Sequence, residues 1–203
     1  MARWWNGIHA SFRSWCREAC GFESRPGHSS QGSASFVPTT SRLTPRHPLL
    51  ITGVSGVAGW NAFPFFLRRH PGQVVGIRPT ATWRLVAEGV VALDTEDRAG
   101  LHELFEKHRF RSVLNCTGNC ALKSCELDPA MARRTNVDSA ANIAETARLF
   151  GARLVHLSSD LVFSGKGAGG YVETDPVDPV TVYGRTMACL LYTSDAADDL
   201  TRV

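Results

Sequence analysis

The chain has 203 residues, 43% hydrophobic and 20% charged, with a formal net charge of +3 at pH 7. These proportions suit one soluble globular domain, and no apolar run approaches the roughly 18 residues that cross a bilayer. The positive excess lies in residues 1–48, with six Arg against two Glu, while residues 49–188 carry 15 basic and 14 acidic side chains. A near-neutral central region argues against a nucleic-acid or membrane surface.

Residues 1–47 show neither helical nor strand periodicity, and Trp4 and Trp5 stand where a secretory signal would need unbroken apolar sequence. The string GFESRPGH, Gly21 to His28, resembles a transfer-RNA gene read as codons. The segment is expected to be an over-extended reading frame or a disordered tail, with the domain proper starting near Pro48.

From there the pattern alternates. Leu49–Thr52 is an apolar strand running into Gly53, Gly56 and Gly59, and a helix is expected from Val57 to Arg69, kinked at Pro64. Strands follow at Gln73–Ile77 and Val90–Leu93. Leu101, Leu104, Phe105 and His108 fall at helical spacing, so Asp97–His108 is expected to be an amphipathic helix. Ser112–Asn115 is a buried strand, Pro129–Phe150 a long helix ended by Gly151, and Arg153–Ser158 a fifth strand. Near-continuous apolar strands alternating with helices describe an α/β fold, a Rossmann-type doubly wound parallel sheet spanning residues 48–188.

The string Cys189 to Asp199, CLLYTSDAADD, resembles a translated sequencing adapter. Residues 189–203 are therefore expected to be an artefact, and the chain a fragment whose C-terminal substrate domain is missing. Cys16, Cys20, Cys116, Cys120, Cys125 and Cys189 show neither CxxC spacing nor a histidine partner. They read as reduced thiols of a cytoplasmic protein, with no metal site.

Ligands of such sheets lie at the carboxyl ends of the strands. Around the first turn, Gly53, Ser55, Gly56, Val57 and Gly59 suit a dinucleotide pyrophosphate: glycine admits close backbone approach, and the helix N-terminus supplies N–H groups. The second strand ends near Arg78, whose guanidinium suits a ribose 2′-phosphate and so NADPH, with NADH as the alternative. Asp94 closes the third strand within reach of an adenine. Cys116, Thr117 and Gly118 are small residues that let a cofactor pass after the fourth strand. Asn136, counted with these as a cofactor-binding candidate, stands mid-helix, where a polar side chain needs a reason: it bonds across to a strand backbone or faces solvent.

The fifth strand ends in HLSSDLVFSG, His156 to Gly165, followed by YVETDPVDPVTVYGRTMA, Tyr171 to Ala188. With the glycine turn, these segments resemble the extended short-chain dehydrogenase/reductase family, most closely its dTDP-4-dehydrorhamnose reductase branch. The resemblance spans about Leu49 to Ala188. It implies NADPH-dependent reduction of a 4-keto-6-deoxy sugar nucleotide in polysaccharide synthesis. Ser159 would hold the substrate carbonyl oxygen and Tyr183 would protonate it. The family has a lysine four residues after the tyrosine, lowering the tyrosine pKa and holding the nicotinamide ribose. Here that position is Met187, which can do neither. Two alternatives stand beside the reductase: a non-catalytic NADP-binding regulatory subunit, and a sugar-nucleotide epimerase or dehydratase. The fragment itself is expected to be inactive, and whether the full-length protein is a homodimer stays open.

Overall fold

The structure, a computed structural model, describes residues 45–82, 85–167, 169–172 and 175–189. The expectations for residues 1–44 and 190–203 lie outside them. Five strands occur in the described residues: β1 (Leu49–Thr52), β2 (Val74–Arg78), β3 (Val90–Ala92), β4 (Ser112–Asn115) and β5 (Arg153–His156). All are parallel and lie in the order β3-β2-β1-β4-β5, the strand order of a doubly wound Rossmann sheet. The order reverses between β1 and β4, so a crevice opens beyond their carboxyl ends.

The helices are α1 (Val57–Arg69), α2 (Arg98–His108), α3 (Leu122–Leu127), α4 (Pro129–Arg133) and α5 (Ser139–Leu149), with a last helix, α6, over 182–189. The strands explain the layering. All of β1 is buried, and β2 is buried up to Arg78, because both faces are covered. On one face Leu50, Val75, Ile77 and Val113 meet Leu101, Leu104 and Phe105 of α2 and Ile143 and Ala147 of α5. Phe105 lies edge-on to Phe110, with ring centroids 5.2 Å apart. On the other face α1 lies against β2 at Gly76. A Cβ there would fall 2.9 Å from the Phe63 ring, so the missing side chain is the space that Phe63 fills.

Local chemistry sets the boundaries. Asp97 caps α2 by accepting the Gly100 N–H at 3.0 Å, and the helix stops at Arg109 in the left-handed region, φ 53°. Pro64 lies within α1, which runs through it as one 13-residue helix. The helix expected over Pro129–Phe150 is divided. A π turn, Arg134–Asp138, separates α4 from α5, and Asn136 within it is fully buried. Strand β5 ends at His156 rather than Ser158, because the chain turns into a 3-10 turn, Asp160–Val162, with Ser159 as its cap. Helix α3 was not anticipated. Its single turn and a half is too short to show a period. Among the described residues no helix is long and apolar enough to cross a membrane.

Gly59 shows how tightly α1 seats on the turn before it: a Cβ there would lie 2.3 Å from the Gly53 carbonyl oxygen. Gly59→Ala is expected to cost roughly 1–3 kcal/mol as an overpacking defect, read as a lower denaturation midpoint with unchanged slope. Wild-type stability in that variant would contradict the packing.

Candidate active site

The first turn carries the clearest demand on sequence. Gly53 has φ +66°, and a Cβ on it would fall 2.6 Å from the Cys116 carbonyl oxygen. The β1 turn and the β4 exit therefore touch backbone to backbone. Gly56 differs. Its φ is −90°, and an added Cβ would meet only the Gly53 oxygen, at 3.4 Å. Among the described residues no group requires glycine there, and the residue is exposed. It caps α1 without a side-chain cap, and the first turn of α1 has no acidic residue. Open space at Gly56 and N–H groups without a side-chain cap fit an anionic pyrophosphate, with Ser55 and Val57 exposed on either side.

Polar bonds lock this corner. The Thr52 hydroxyl donates to Asn115 Oδ1 at 2.5 Å and accepts from the Cys116 N–H and the Thr117 hydroxyl. The Thr117 N–H also reaches Asn115 Oδ1, at 3.0 Å. Burial pushes the Cys116 thiol up to about 12, so this wall is uncharged at neutral pH. Gly118 sits beside Asn136, where an added Cβ would lie 3.4 Å from Oδ1.

Further along the sheet edge, the Arg78 Nε donates to the Leu85 carbonyl at 2.6 Å and Nη1 to the Pro79 carbonyl at 3.0 Å. The guanidinium is thus spread along the loop after β2. Both Asp94 carboxylate oxygens are taken by Thr80, through its N–H at 3.0 Å and its hydroxyl at 2.5 Å. Asp94 therefore shapes the loop, through Thr80, on the side where an adenine was expected.

At the end of β5, α6 seats on the 3-10 turn that Ser159 caps and so brings Tyr183 beside Ser159, 24 positions away in sequence. Ser159 Oγ also accepts the Leu161 N–H at 3.2 Å and lies 3.1 Å from Asp160 Oδ1. The Tyr183 pKa is raised, first by burial; the Ser159 hydroxyl opposes this, and Cys120, Cys125 and Asp160 add to it. None of these neighbours is a cation. One turn on, Met187 is 5% exposed among Val137, Ala140, Val162 and Ala188. The position at which the resemblance implies an ammonium is here an apolar core position.

Asn136 does not face solvent: it is fully buried, and its amide is taken up by protein. Oδ1 accepts the Asn119 N–H at 2.6 Å, and Nδ2 donates to the Asn119 carbonyl at 3.2 Å and to Thr186 Oγ1 at 3.0 Å. It ties the β4 exit loop to the tyrosine helix. Sequence reasoning passed over three other residues. Glu126 accepts the Val182 N–H at 2.7 Å and so caps α6. The Thr186 hydroxyl donates to the Tyr183 carbonyl at 2.7 Å. Gly184 lets α6 approach the 3-10 turn: a Cβ there would lie 2.2 Å from the Leu161 carbonyl oxygen. Of the three, only Gly184 left a signal, a glycine inside a helix, where it costs about 1 kcal/mol relative to alanine.

Residues 47–189 match the family described as RmlD substrate binding domain. The chain is 36% identical over 142 residues to a dTDP-4-dehydrorhamnose reductase of Streptomyces griseus, covering 70% of this chain and 43% of that protein. It is 30% identical over 167 residues to methionine adenosyltransferase 2 subunit beta of Bos taurus, covering 79% and 48%. A solved dTDP-4-dehydrorhamnose reductase of Bacillus anthracis, in complex with NADP, superposes with a TM-score of 0.63 at 22% identity, covering 73% and 49%; this likeness is one of fold. The chain thus spans less than half the length of each relative.

Two outcomes follow from the geometry. Gly184→Ala should push α6 from the Ser159 segment, destabilise the protein by roughly 1–3 kcal/mol and change the alkaline titration of Tyr183, followed by tyrosinate absorbance. His156 is the second. Burial lowers its pKa to about 4, so its stabilising contribution is complete above the unfolded value near 6.5 and is lost as pH falls toward 4. The loss should amount to at most about 3 kcal/mol in acid unfolding curves, and it should vanish in His156→Phe.

Proposed function

The chain belongs to the RmlD substrate binding domain family, and we propose that residues 48–188 form the NADPH-binding part of a reductase acting on a 4-keto-6-deoxy sugar nucleotide of the dTDP-4-dehydrorhamnose type. The seating of α6 on the Asp160–Val162 turn, which sets Tyr183 beside Ser159 beyond the sheet's carboxyl edge, carries this proposal. It pairs two hydroxyls as a carbonyl oxygen requires: one to hold it and one to give it a proton. The pyrophosphate is assigned to Gly53, Ser55, Gly56, Val57 and Gly59, and the adenosine side to Arg78 and the loop held by Asp94. Cys116, Thr117 and Gly118 line the passage between. Bound there, the dihydronicotinamide supplies hydride to the carbonyl carbon.

The chain's own part is the proton. Ser159 Oγ donates to the carbonyl oxygen, and the Tyr183 hydroxyl releases its proton to that oxygen as negative charge grows there. With burial raising the Tyr183 pKa and no cation among the groups that shift it, the phenol stays protonated but releases its proton reluctantly. A second reading rests on that same feature. Met187 in an apolar cluster, together with the likeness to methionine adenosyltransferase 2 subunit beta, favours a cofactor-binding subunit that keeps the fold and has lost the proton relay.

Gly56→Asp is the test of the cofactor site. Its conformation suits any residue, so stability should change by less than about 1 kcal/mol, while NADPH affinity, read by fluorescence, should fall at least about tenfold. Met187→Lys separates the two readings in a protein of the relatives' full length containing these residues. A gain of about 10²-fold or more in NADPH oxidation with the 4-keto sugar nucleotide supports the reductase. NADPH binding with no turnover before or after the substitution supports the regulatory subunit.

A further inference from the structure

Three polar side chains close the carboxyl ends of neighbouring strands in a single row. Thr52 is in register with Asn115, and Asn115 with His156, so the three stand on the same face of the sheet. The direction of every bond in the row can be deduced. The Thr117 N–H points at one end of the Asn115 amide, 3.0 Å away. A backbone N–H can only donate, so that end must be the oxygen, and the amide cannot be turned over. The same oxygen accepts the Thr52 hydroxyl at 2.5 Å, and the amide nitrogen is left facing His156 Nδ1 at 2.9 Å. Nδ1 must then accept. The proton of the neutral ring lies on Nε2, and a second proton on Nδ1 would set donor against donor.

Nε2 is buried and has no hydrogen-bond partner among the described residues, so the tautomer is dictated from the Asn115 side alone. Burial of the ring also keeps it neutral at physiological pH. The ends of the row are informative. Thr52 immediately precedes Gly53, whose backbone is pressed on Cys116. His156 is the last residue of β5, three positions before Ser159, and the Leu157 N–H is still bonded to the Asn115 carbonyl at 3.2 Å.

We propose that His156 is a positioning residue: locked as the Nε2–H tautomer by Thr52 and Asn115, it couples the glycine turn to the segment that delivers Ser159. Neither strand end can shift without the other, because the row has no free rotor between them. The inference rests on the glycine turn being the NADPH site.

The test is a double-mutant cycle on NADPH affinity with Thr52→Val and His156→Phe, which break the row at opposite ends. Each single variant should raise the Kd about five- to tenfold, and the double variant no further than about twofold beyond the larger single effect. His156→Gln, which can still accept from Asn115, should restore affinity to within about threefold of wild type. Multiplicative single effects, or single variants with wild-type affinity, would overturn the coupling. If the variants do not fold, nitrogen-15 NMR of the wild-type imidazole decides. A proton on Nε2, none on Nδ1, and a resonance that moves on saturation with NADPH are expected. A protonated Nδ1, or a resonance indifferent to bound NADPH, overturns the proposal. No NADPH binding by the wild-type chain would instead overturn the cofactor site, with the tautomer still measured on its own.

Discussion

The contact on which the site depends is the one between two backbones. Gly53 turns β1 through a positive φ and lies so close to Cys116 and Thr117 that no side chain fits between them. The Thr52 hydroxyl and the Asn115 amide hold the two strand exits at that spacing. The crevice at the point where strand order reverses is therefore shaped by hydrogen bonds in the sheet's last row, not by flexible loops. Everything proposed for the pyrophosphate follows from this corner, since α1 can aim its N-terminus outward only while Gly59 lets it seat on Gly53.

The opposite side of the crevice obeys the same logic with different means. Helix α6 must approach the Ser159 segment closely enough for the two hydroxyls to meet, and Gly184 against the Leu161 carbonyl permits it. Glu126 and Thr181 cap the first turn of α6, and Asn136 holds its interior through Thr186. The approach places Tyr183 and Met187 in an apolar cluster. Burial there raises the tyrosine pKa, and of the groups that shift it only the Ser159 hydroxyl acts the other way. A methionine at 187 is consistent with that environment as packing and inconsistent with it as catalysis. This tension is why two functional readings stand, and it is a matter of one side chain, not of the fold.

Much of the architecture could be read along the chain. Strands such as Leu49–Thr52 and Ser112–Asn115 place apolar residues on both faces because both faces are covered, and the helices between them carry the 3.6-residue period. The failures have a common cause. The π turn at Arg134–Asp138 interrupts what looks like one long helix, because Asn136 is drawn toward Asn119, a partner 17 positions away. Strand β5 stops early because Ser159 caps a turn whose position depends on α6. Asp94 and Arg78 lie at the expected strand ends, yet their side chains are turned onto neighbouring loop atoms.

What the sequence determined by itself was the order of elements, the glycine spacing of the first turn, and the presence of Ser159, Tyr183 and Met187 in segments that follow the fifth strand. These are local properties, set by period, by glycine's freedom in φ and by residue identity. Tertiary structure alone decided which polar groups were spent on protein partners: the buried Asn136 amide, the Glu126 cap, the single tautomer of His156. Each depends on a donor or acceptor supplied by a remote part of the chain, and hydrogen-bond direction is undefined until both partners are in place.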